Sequence, residues 1–263
     1  MLEIARYEAE RRRRGTVALT VGLSILSLFF LAFFPSMADL DLDAYAEAFP
    51  PAFQEAFGIQ ALGTIEGFLA VEIYQFLWLL LLGLYLAYTA GGLIAGDVER
   101  DRMDLLLSLP VSRARVLGEK FVSLLPVLVT LNVVVPIVIY GGVAAIGESL
   151  DPVDLAMVHL LSIPYLLACA GIGLVLSTAV RRADVARRGA IAAVFALFLV
   201  DSVSASSADF DWVGAVSPTY HYNPTEILVE GTYDITGAGI LLALTAVLLA
   251  LALVRFRRND VGA

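Results

Sequence analysis

The sequence is poor in the residues that build most active sites and metal sites. Its 263 residues include one cysteine, one lysine and two histidines. The lone Cys169 excludes an intrachain disulfide, and neither His159 nor His221 has a second histidine or a cysteine close by, so no metal site is expected. The motifs H-E-x-x-H and G-x-x-x-x-G-K-[ST] and a Ser-His-Asp spacing are absent from the sequence. We therefore expect no catalytic residue and no bound cofactor in this chain.

Charged residues are scarce as well. They make up 16% of the chain, whereas hydrophobic residues make up 59% and the mean hydropathy is +0.83. Soluble domains contain about 25% charged residues. The composition predicts an all-α membrane protein whose 263 residues form a single transmembrane domain, with no room for a large soluble domain.

Long apolar runs supply the predicted membrane spans. A helix needs roughly 20 mostly apolar residues to cross a bilayer. Six runs approach or exceed that length, at 16–34, 67–95, 121–146, 152–180, 189–204 and 235–254. The fifth run is short and ends near Asp201. The sequence predicts six transmembrane helices.

Basic residues fall in four short groups, which predicts the topology. The groups lie at 6–14, 100–120, 181–188 and 255–258. The intervals between them carry only acidic charges, among them Asp39, Asp41, Asp43, Glu47, Glu55, Glu148, Asp151, Asp209, Asp211, Glu226 and Glu230. Because short loops rich in Lys and Arg stay in the cytoplasm, both termini are predicted to be cytoplasmic in a multi-pass protein of the cell membrane. An even number of spans independently places both termini on one side.

The charge balance is acidic, with a formal net charge of -9, and sixteen of the seventeen basic residues are arginine. This composition resembles that of proteins from halophilic archaea, whose acidic surfaces hold hydration in strong salt. It predicts a halophilic source. The alternative is an acidic outer vestibule that attracts cations, although the acids are spread over all three outer loops.

Small residues recur four positions apart within the runs. The pairs are Gly83 with Ala87, Gly92 with Gly96, and Gly173 with Ser177. Such pairs let helix backbones approach closely in lipid. They predict either close packing inside the bundle of this chain or an interface between subunits.

The loop between the second and third runs carries the most distinctive pattern. Residues 94–113 read IAGDVERDRMDLLLSLPVSR, and Gly118-Glu119-Lys120 follow. Acids at the front and Pro110 at the end predict a short helix, on which Met103, Leu106 and Leu107 share one face. A short amphipathic helix can lie on the membrane surface or dock in a groove of a cytoplasmic partner. The pattern alone favours neither.

This loop resembles the signature of ABC transporter permeases of the type-2 exporter class, in which a segment I-A-x-E-x-E-x-G-T-L-x-L-L-L-x-x-P-V-S-R links the second and third spans. The match is intact from Leu105 to Arg113. It departs earlier, where Asp97 replaces a glutamate and Asp101-Arg102-Met103 replaces Gly-Thr-Leu.

The resemblance implies an architecture for the whole chain. Family members have six spans, an amphipathic interfacial helix before the first and a broken, re-entrant helical element between the last two. Here these extra elements correspond to 2–14 and 212–230. The second would form an outer gate, with Pro218, Tyr220, His221, Tyr222 and Pro224 as candidate residues.

The resemblance also implies partners. A separate ATPase subunit would bind ATP and Mg, and two permease subunits, identical or related, would form the translocation path. The cytoplasmic coupling helix, in segment 97–113, would dock on the ATPase. The expected contact residues are Asp97, Glu99, Arg102, Met103, Asp104, Leu106, Leu107, Pro110 and Arg113.

Two other functions stay open. A secondary transporter or channel driven by an ion gradient predicts inverted repeats and charges near the bilayer midplane, and the sequence has no evident internal repeat. A permease-like subunit could instead pass ATPase-driven motion to an outer partner protein without transporting solute. The sequence does not separate this role from export, and it does not identify a substrate.

Overall fold

The computed structural model describes residues 2–38, 63–108, 110–204 and 211–258. Every regular element within these ranges is a helix, which confirms the all-α prediction. The helices are α1 (Glu3–Ala38), α2 (the contiguous stretches Ile65–Leu69, Ala70–Leu82 and Gly83–Gly91), α3 (Ala95–Val98), α4 (Arg102–Leu107), α5 (Arg113–Val122), α6 (Leu125–Ala145), α7 (Pro152–Ala179), α8 (Ala183–Ser204), α9 (Asp211–Gly214), a 3₁₀ turn (Pro218–His221), α10 (Pro224–Glu230) and α11 (Ile235–Arg258).

Five helical stretches of the described chain are long and apolar enough to cross a membrane. They are Glu3–Ser36, Ile65–Val98, Arg113–Ala145, Pro152–Ala179 and Ile235–Arg258. They contain the first four predicted spans and the sixth. The fifth predicted span lies in α8, a helix of 22 residues. α8 is not among the five because Arg187, Arg188 and Asp201 interrupt its apolar run.

The first helix is longer than the predicted first span. α1 runs for 36 residues without a break at Gly15, so the predicted interfacial segment 2–14 and the span 16–34 form one continuous helix. Pro35 also lies inside α1 rather than ending it. The N-terminal turns of α1 pack against α5, and its apolar part packs against α6.

The middle of α2 is wound as a π-helix over Ala70–Leu82. π-Helical segments are rare, and most are single-turn bulges that are often found at functional sites. Within this segment Tyr74 and Trp78 are completely buried. Two large polar aromatic side chains of this segment thus lie in the interior of the bundle.

α7 lies at the centre of the bundle and packs against α2, α8 and α11. Gly83, Ala87, Gly173 and Ser177, four of the predicted small residues, are buried in this chain's own packing. The Ser177 hydroxyl accepts hydrogen bonds from the backbone N–H groups at 94 and 95, at 2.9 and 3.0 Å. These small residues therefore pack the helices of this chain against one another, in agreement with the prediction of close packing inside the bundle.

Candidate functional site

Contacts between distant parts of the chain bring all four basic groups to one end of the bundle, here called the basic end. Arg12 donates a hydrogen bond of 2.6 Å to the Ser123 hydroxyl. Arg113 donates one of 2.7 Å to the carbonyl oxygen of Phe256. The remaining group, 181–188, is held at the same end through a hydrogen bond from the backbone N–H of Ala183 to Glu99. The four basic groups, which are separate in the sequence, thus lie together at one end of the folded chain.

The predicted coupling segment, 97–113, is two helical pieces rather than one. α3 ends at Val98, α4 begins at Arg102, and between them Asp101 adopts φ +53°. The family pattern has glycine at this position, the residue that adopts a left-handed backbone without steric cost. Aspartate is one of the few other residues that tolerate it. The departure noted in the sequence therefore keeps the backbone turn that the family pattern implies.

The candidate contact residues of this segment differ in exposure. Asp104 and Pro110 are exposed, Leu106 is half-buried against the core, and Met103 is 1% exposed. The side chain of Leu107 lies outside the described part of the chain. Leu105, which the sequence analysis did not select, is 70% exposed. The surface that a partner can reach is therefore centred on Leu105 and Asp104, whereas Met103 anchors α4 to the protein.

Two candidate residues, Glu99 and Arg113, bind the ends of other helices. The Glu99 carboxylate accepts a hydrogen bond of 2.9 Å from the N–H of Ala183, the first residue of α8. The Arg113 guanidinium donates to carbonyls in the last turn of α11 and lies 5.6 Å from the centroid of the Phe256 ring. A negative charge at a helix N-terminus and a positive charge at a C-terminus are both favourable. The segment is thus attached to α8 and α11.

A chain of alternating charges, buried at its three central residues and partly exposed at its two ends, continues inward from the same segment. It runs in the order Arg102, Asp97, Lys120, Glu8, Arg12, and we call it the charge chain. Arg102 lies 2.8 Å from Asp97, Lys120 contacts Asp97 and lies 2.9 Å from Glu8, and Arg12 lies 3.3 Å from Glu8. Lys120 is the only lysine of the protein and is 1% exposed. A buried charge is tolerated only when it is paired, and Lys120 has a carboxylate on either side.

Glu119 makes a second connection between α5 and α1. Its carboxylate accepts hydrogen bonds from the N–H groups of Ile4 and Ala5, at 2.9 and 3.3 Å. Its other oxygen pairs with Arg115 at 2.7 Å. Because the first N–H groups of a helix have no partner inside the helix, Glu119 caps α1. The motif Gly118-Glu119-Lys120 was noted in the sequence, but its partners on α1 were not predicted.

A second polar cluster lies inside the bundle, far from the charge chain in sequence. His159 of α7 contacts the Tyr74 hydroxyl at 2.9 Å through Nε2 and the Asn132 side-chain oxygen at 3.2 Å through Nδ1. Trp78 donates to the Ser162 hydroxyl at 2.9 Å. The cluster joins α2, α6 and α7. The spacing of Tyr74 with Trp78, and of His159 with Ser162, places each pair on one face of a helix. This spacing was the one signal in the sequence that could have predicted the cluster.

The predicted outer element consists of α9, the 3₁₀ turn and α10. Of its five candidate gate residues, Pro218, Tyr222 and Pro224 are buried, whereas Tyr220 is 42% exposed and His221 is partly exposed. The Tyr222 hydroxyl donates to the carbonyl of Val158 at 2.9 Å, and its ring stacks on Tyr165 at 5.6 Å. The element is therefore packed into the bundle through Tyr222.

A comparison with curated proteins found no match. A comparison with protein families found one that extends over nearly the whole chain, from residue 2 to residue 261, and its description is ABC-2 family transporter protein. The match covers the bundle, the segment at the basic end and the outer element together. By this measure the chain belongs to the ABC-2 transporter family, and it is a multi-pass ABC permease of the membrane.

Proposed function

We propose that the chain is the transmembrane permease subunit of an ATP-driven exporter and that segment 97–113 docks on a separate ATPase subunit. The observation that supports this best is the exposed Leu105 on a short helix at the basic end, attached to α8 and α11 through Glu99 and Arg113. A ligand or partner shifts an equilibrium only through contacts that differ between the two states. A segment attached to several helices at once can convert docking into such a difference.

Under this proposal the chain hydrolyses no ATP itself. The ATPase subunit binds ATP and Mg, and two permease subunits, identical or related, enclose the path. α8 serves as a sixth span, which gives the even number that two cytoplasmic termini require. Its 22 residues, at about 1.5 Å each, make a helix about as long as the hydrocarbon core is thick, with charged residues near both of its ends. The basic end then lies in the cytoplasm with both termini. The halophilic source stays a prediction from composition.

We expect Leu105→Asp to lower the amount of ATPase that co-purifies with the permease by about tenfold or more. Burying a leucine side chain in a groove contributes about 1.5–3 kcal/mol, and each 1.4 kcal/mol is a factor of ten in affinity. Leu105 is 70% exposed, so the change leaves the permease fold intact. The measurement is the ratio of ATPase to permease after purification from native membranes.

Val185→Asp is the matched control for this measurement. Val185 is 45% exposed, also at the basic end, but on α8 rather than α4. It should leave ATPase recovery unchanged. Equal recovery of the ATPase with Leu105→Asp and with the unmodified chain would contradict docking through α4.

The topology can be tested with single cysteines at exposed positions 148, 182 and 230. We expect Arg182→Cys to be labelled from the cytoplasmic side and Glu148→Cys and Glu230→Cys from the outer side. Cys169 is fully buried, and the unmodified chain serves as the labelling blank. The measurement is labelling by an impermeant reagent in sealed vesicles. Labelling of positions 182 and 230 from the same side would show that α8 does not cross the membrane.

The outer element supports a gate on the far side of the bundle. Non-helical backbone at membrane depth is tolerated only where protein or a cavity surrounds it, and the buried Tyr222 provides such a setting.

Mechanical transmission to an outer partner protein is the second candidate, since the same packing could carry motion outward. Transport assays in vesicles that contain the permease and the ATPase would distinguish the two roles, because only an exporter moves solute across the membrane.

A further inference from the structure

We infer that Lys120 is a positioning residue that transmits movement of the ATPase-docking segment to the N-terminal half of α1. This inference rests on the proposed function, because it concerns what happens after the ATPase binds. It implies that the N-terminal half of α1 moves when the ATPase subunit binds nucleotide. A helix that served only to lie on the lipid surface would not move in this way.

The charge chain provides the physical link. Lys120 contacts Asp97 of the docking segment on one side and Glu8 of α1 on the other. Asp97 is itself held by Arg102, the first residue of α4, and Glu8 by Arg12. Each step in the chain joins opposite charges, so α4 and α1 are connected without any apolar intermediate.

Burial makes this connection stiff. Lys120 is 1% exposed, and the side chains of Asp97 and Glu8 are 7% and 9% exposed. Salt and water screen exposed ion pairs effectively but buried ones much less. Separating one pair would leave an unpaired charge in the interior, which is strongly unfavourable. The three segments therefore move together more readily than they separate.

Glu119 extends the connection along α1. It caps the first turn through the N–H groups of Ile4 and Ala5, whereas Glu8 is held about one turn further on. α5 therefore holds α1 at two successive positions. A displacement of α5 carries the N-terminal turns of α1 with it, and the contact of Lys120 with Asp97 joins α5 to the docking segment.

The inference is tested in the purified permease–ATPase complex with a spin label at one of two exposed positions. Arg100→Cys reports on the docking segment at a position outside the expected contact residues, and Arg13→Cys reports on α1. The probe is a non-hydrolysable ATP analogue with Mg. In the otherwise unmodified chain we expect the analogue to change the spectra of both labels.

We expect Lys120→Met to retain the response at position 100 and to reduce the response at position 13 by at least about fivefold, the lower end of typical allosteric couplings. Glu8→Gln preserves the side-chain shape and should show the same separation, so the test stands even if Lys120→Met is poorly recovered. Combining the two changes should add nothing, because both break the same connection.

Glu10→Gln is the matched control. Glu10 pairs with Arg6 at 2.9 Å on the same helix, but both side chains are more than half exposed. Its loss should leave both responses unchanged. If Lys120→Met and Glu8→Gln retain the response at position 13, the transmission role is wrong while docking stands. If neither label responds in the unmodified complex, or no ATPase co-purifies, the proposed function itself fails.

Discussion

Gly173→Ala is expected to be among the most damaging single substitutions in the bundle. A Cβ at Gly173 of α7 would overlap the carbonyl oxygen of Ala87 and lie 3.0 Å from the backbone nitrogen of Gly91. Both atoms belong to the backbone of α2, so no side chain can rotate to make room. The helices would have to separate along their contact. Overpacking of this kind costs about 3 kcal/mol, which lowers the unfolding temperature by roughly 6–12 °C for a chain of this size.

The measurement is the thermal unfolding temperature of the purified protein in detergent. Gly141→Ala is the control, because a Cβ at this position of α6 meets nothing within 4 Å. Alanine is the better helix former by about 0.5–1 kcal/mol, so the control should be neutral or slightly stabilising. The two substitutions make the same chemical change and should have opposite signs. A similar unfolding temperature for both would mean that α2 and α7 are not packed as closely as the structure shows.

The broad architecture could be predicted from the sequence because membrane insertion depends on local properties of the chain. Length and hydropathy of a run decide whether it can span the bilayer, and no distant residue is needed to assess either. Five of the six predicted spans correspond to helices that meet those requirements. The fifth run, 189–204, is the exception for the same reason: Arg187 and Arg188 stand directly before it and Asp201 near its end, which leaves a short apolar stretch within α8. The segment 2–14 was expected to be a separate interfacial helix from the family resemblance. Its arginines limit the apolar run to 16–34 but do not end the helix.

The orientation of α4 was harder to predict. A face is assigned from helical spacing, but a helix of six residues turns fewer than two times and its rotation is set by its surroundings. Here the left-handed Asp101 sets the angle at which α4 leaves α3. As a result Met103 and Leu106 lie against the core, on the face that the pattern assigned to them, whereas Leu105 points outward. The pattern did not indicate that the shared face packs on the protein and that Leu105 is the residue left for a partner.

The charge chain could not be predicted from the sequence because the pair that joins its two halves spans more than a hundred positions. Glu8 and Lys120 are separated by 112 residues, yet their charged atoms lie 2.9 Å apart. Neither residue is unusual in its own neighbourhood, since both stand among other charges at the end of a span. The one hint was that Lys120 is the only lysine among sixteen arginines. A compact ammonium group fits between two carboxylates where the planar guanidinium would need more room.

The intramembrane cluster around His159 was missed for a related reason. The sequence assigned no partner to His159, and its actual partners come from two other helices. The Asn132 side-chain nitrogen donates to the carbonyl of Leu128, so its oxygen faces His159 as an acceptor. Nδ1 of His159 therefore carries the proton, and Nε2 accepts from the Tyr74 hydroxyl. The neutral ring is fully satisfied, which explains how histidine is accommodated at 2% exposure.

His159→Leu is accordingly expected to lower the free energy of unfolding by about 1–3 kcal/mol, because it leaves the buried Tyr74 hydroxyl without its acceptor. The Asn132 side-chain oxygen loses its bond to His159 but keeps the Ser162 hydroxyl as a donor. The substitution also removes a ring that packs edge-on against Trp78, at 4.7 Å between centroids. His159→Gln should cost less, because a glutamine side chain can place a polar atom near the position of Nε2 and retain the bond to Tyr74.

The order of stability should therefore be unmodified chain, then His159→Gln, then His159→Leu, measured as unfolding temperatures in detergent. His221→Leu is the control: it removes the other histidine, which is partly exposed and, within the described part of the chain, contacts the carbonyl of Ala215 at 3.1 Å and the neighbouring Tyr220 ring. It should lower stability by less than about 1 kcal/mol, the contribution of a typical exposed hydrogen bond. Equal losses at 159 and 221, or equal effects of leucine and glutamine at 159, would contradict the hydrogen bonds assigned to the cluster. The expected ordering would show that α2, α6 and α7 are held together in the membrane by polar contacts as well as by the close approach at Gly173.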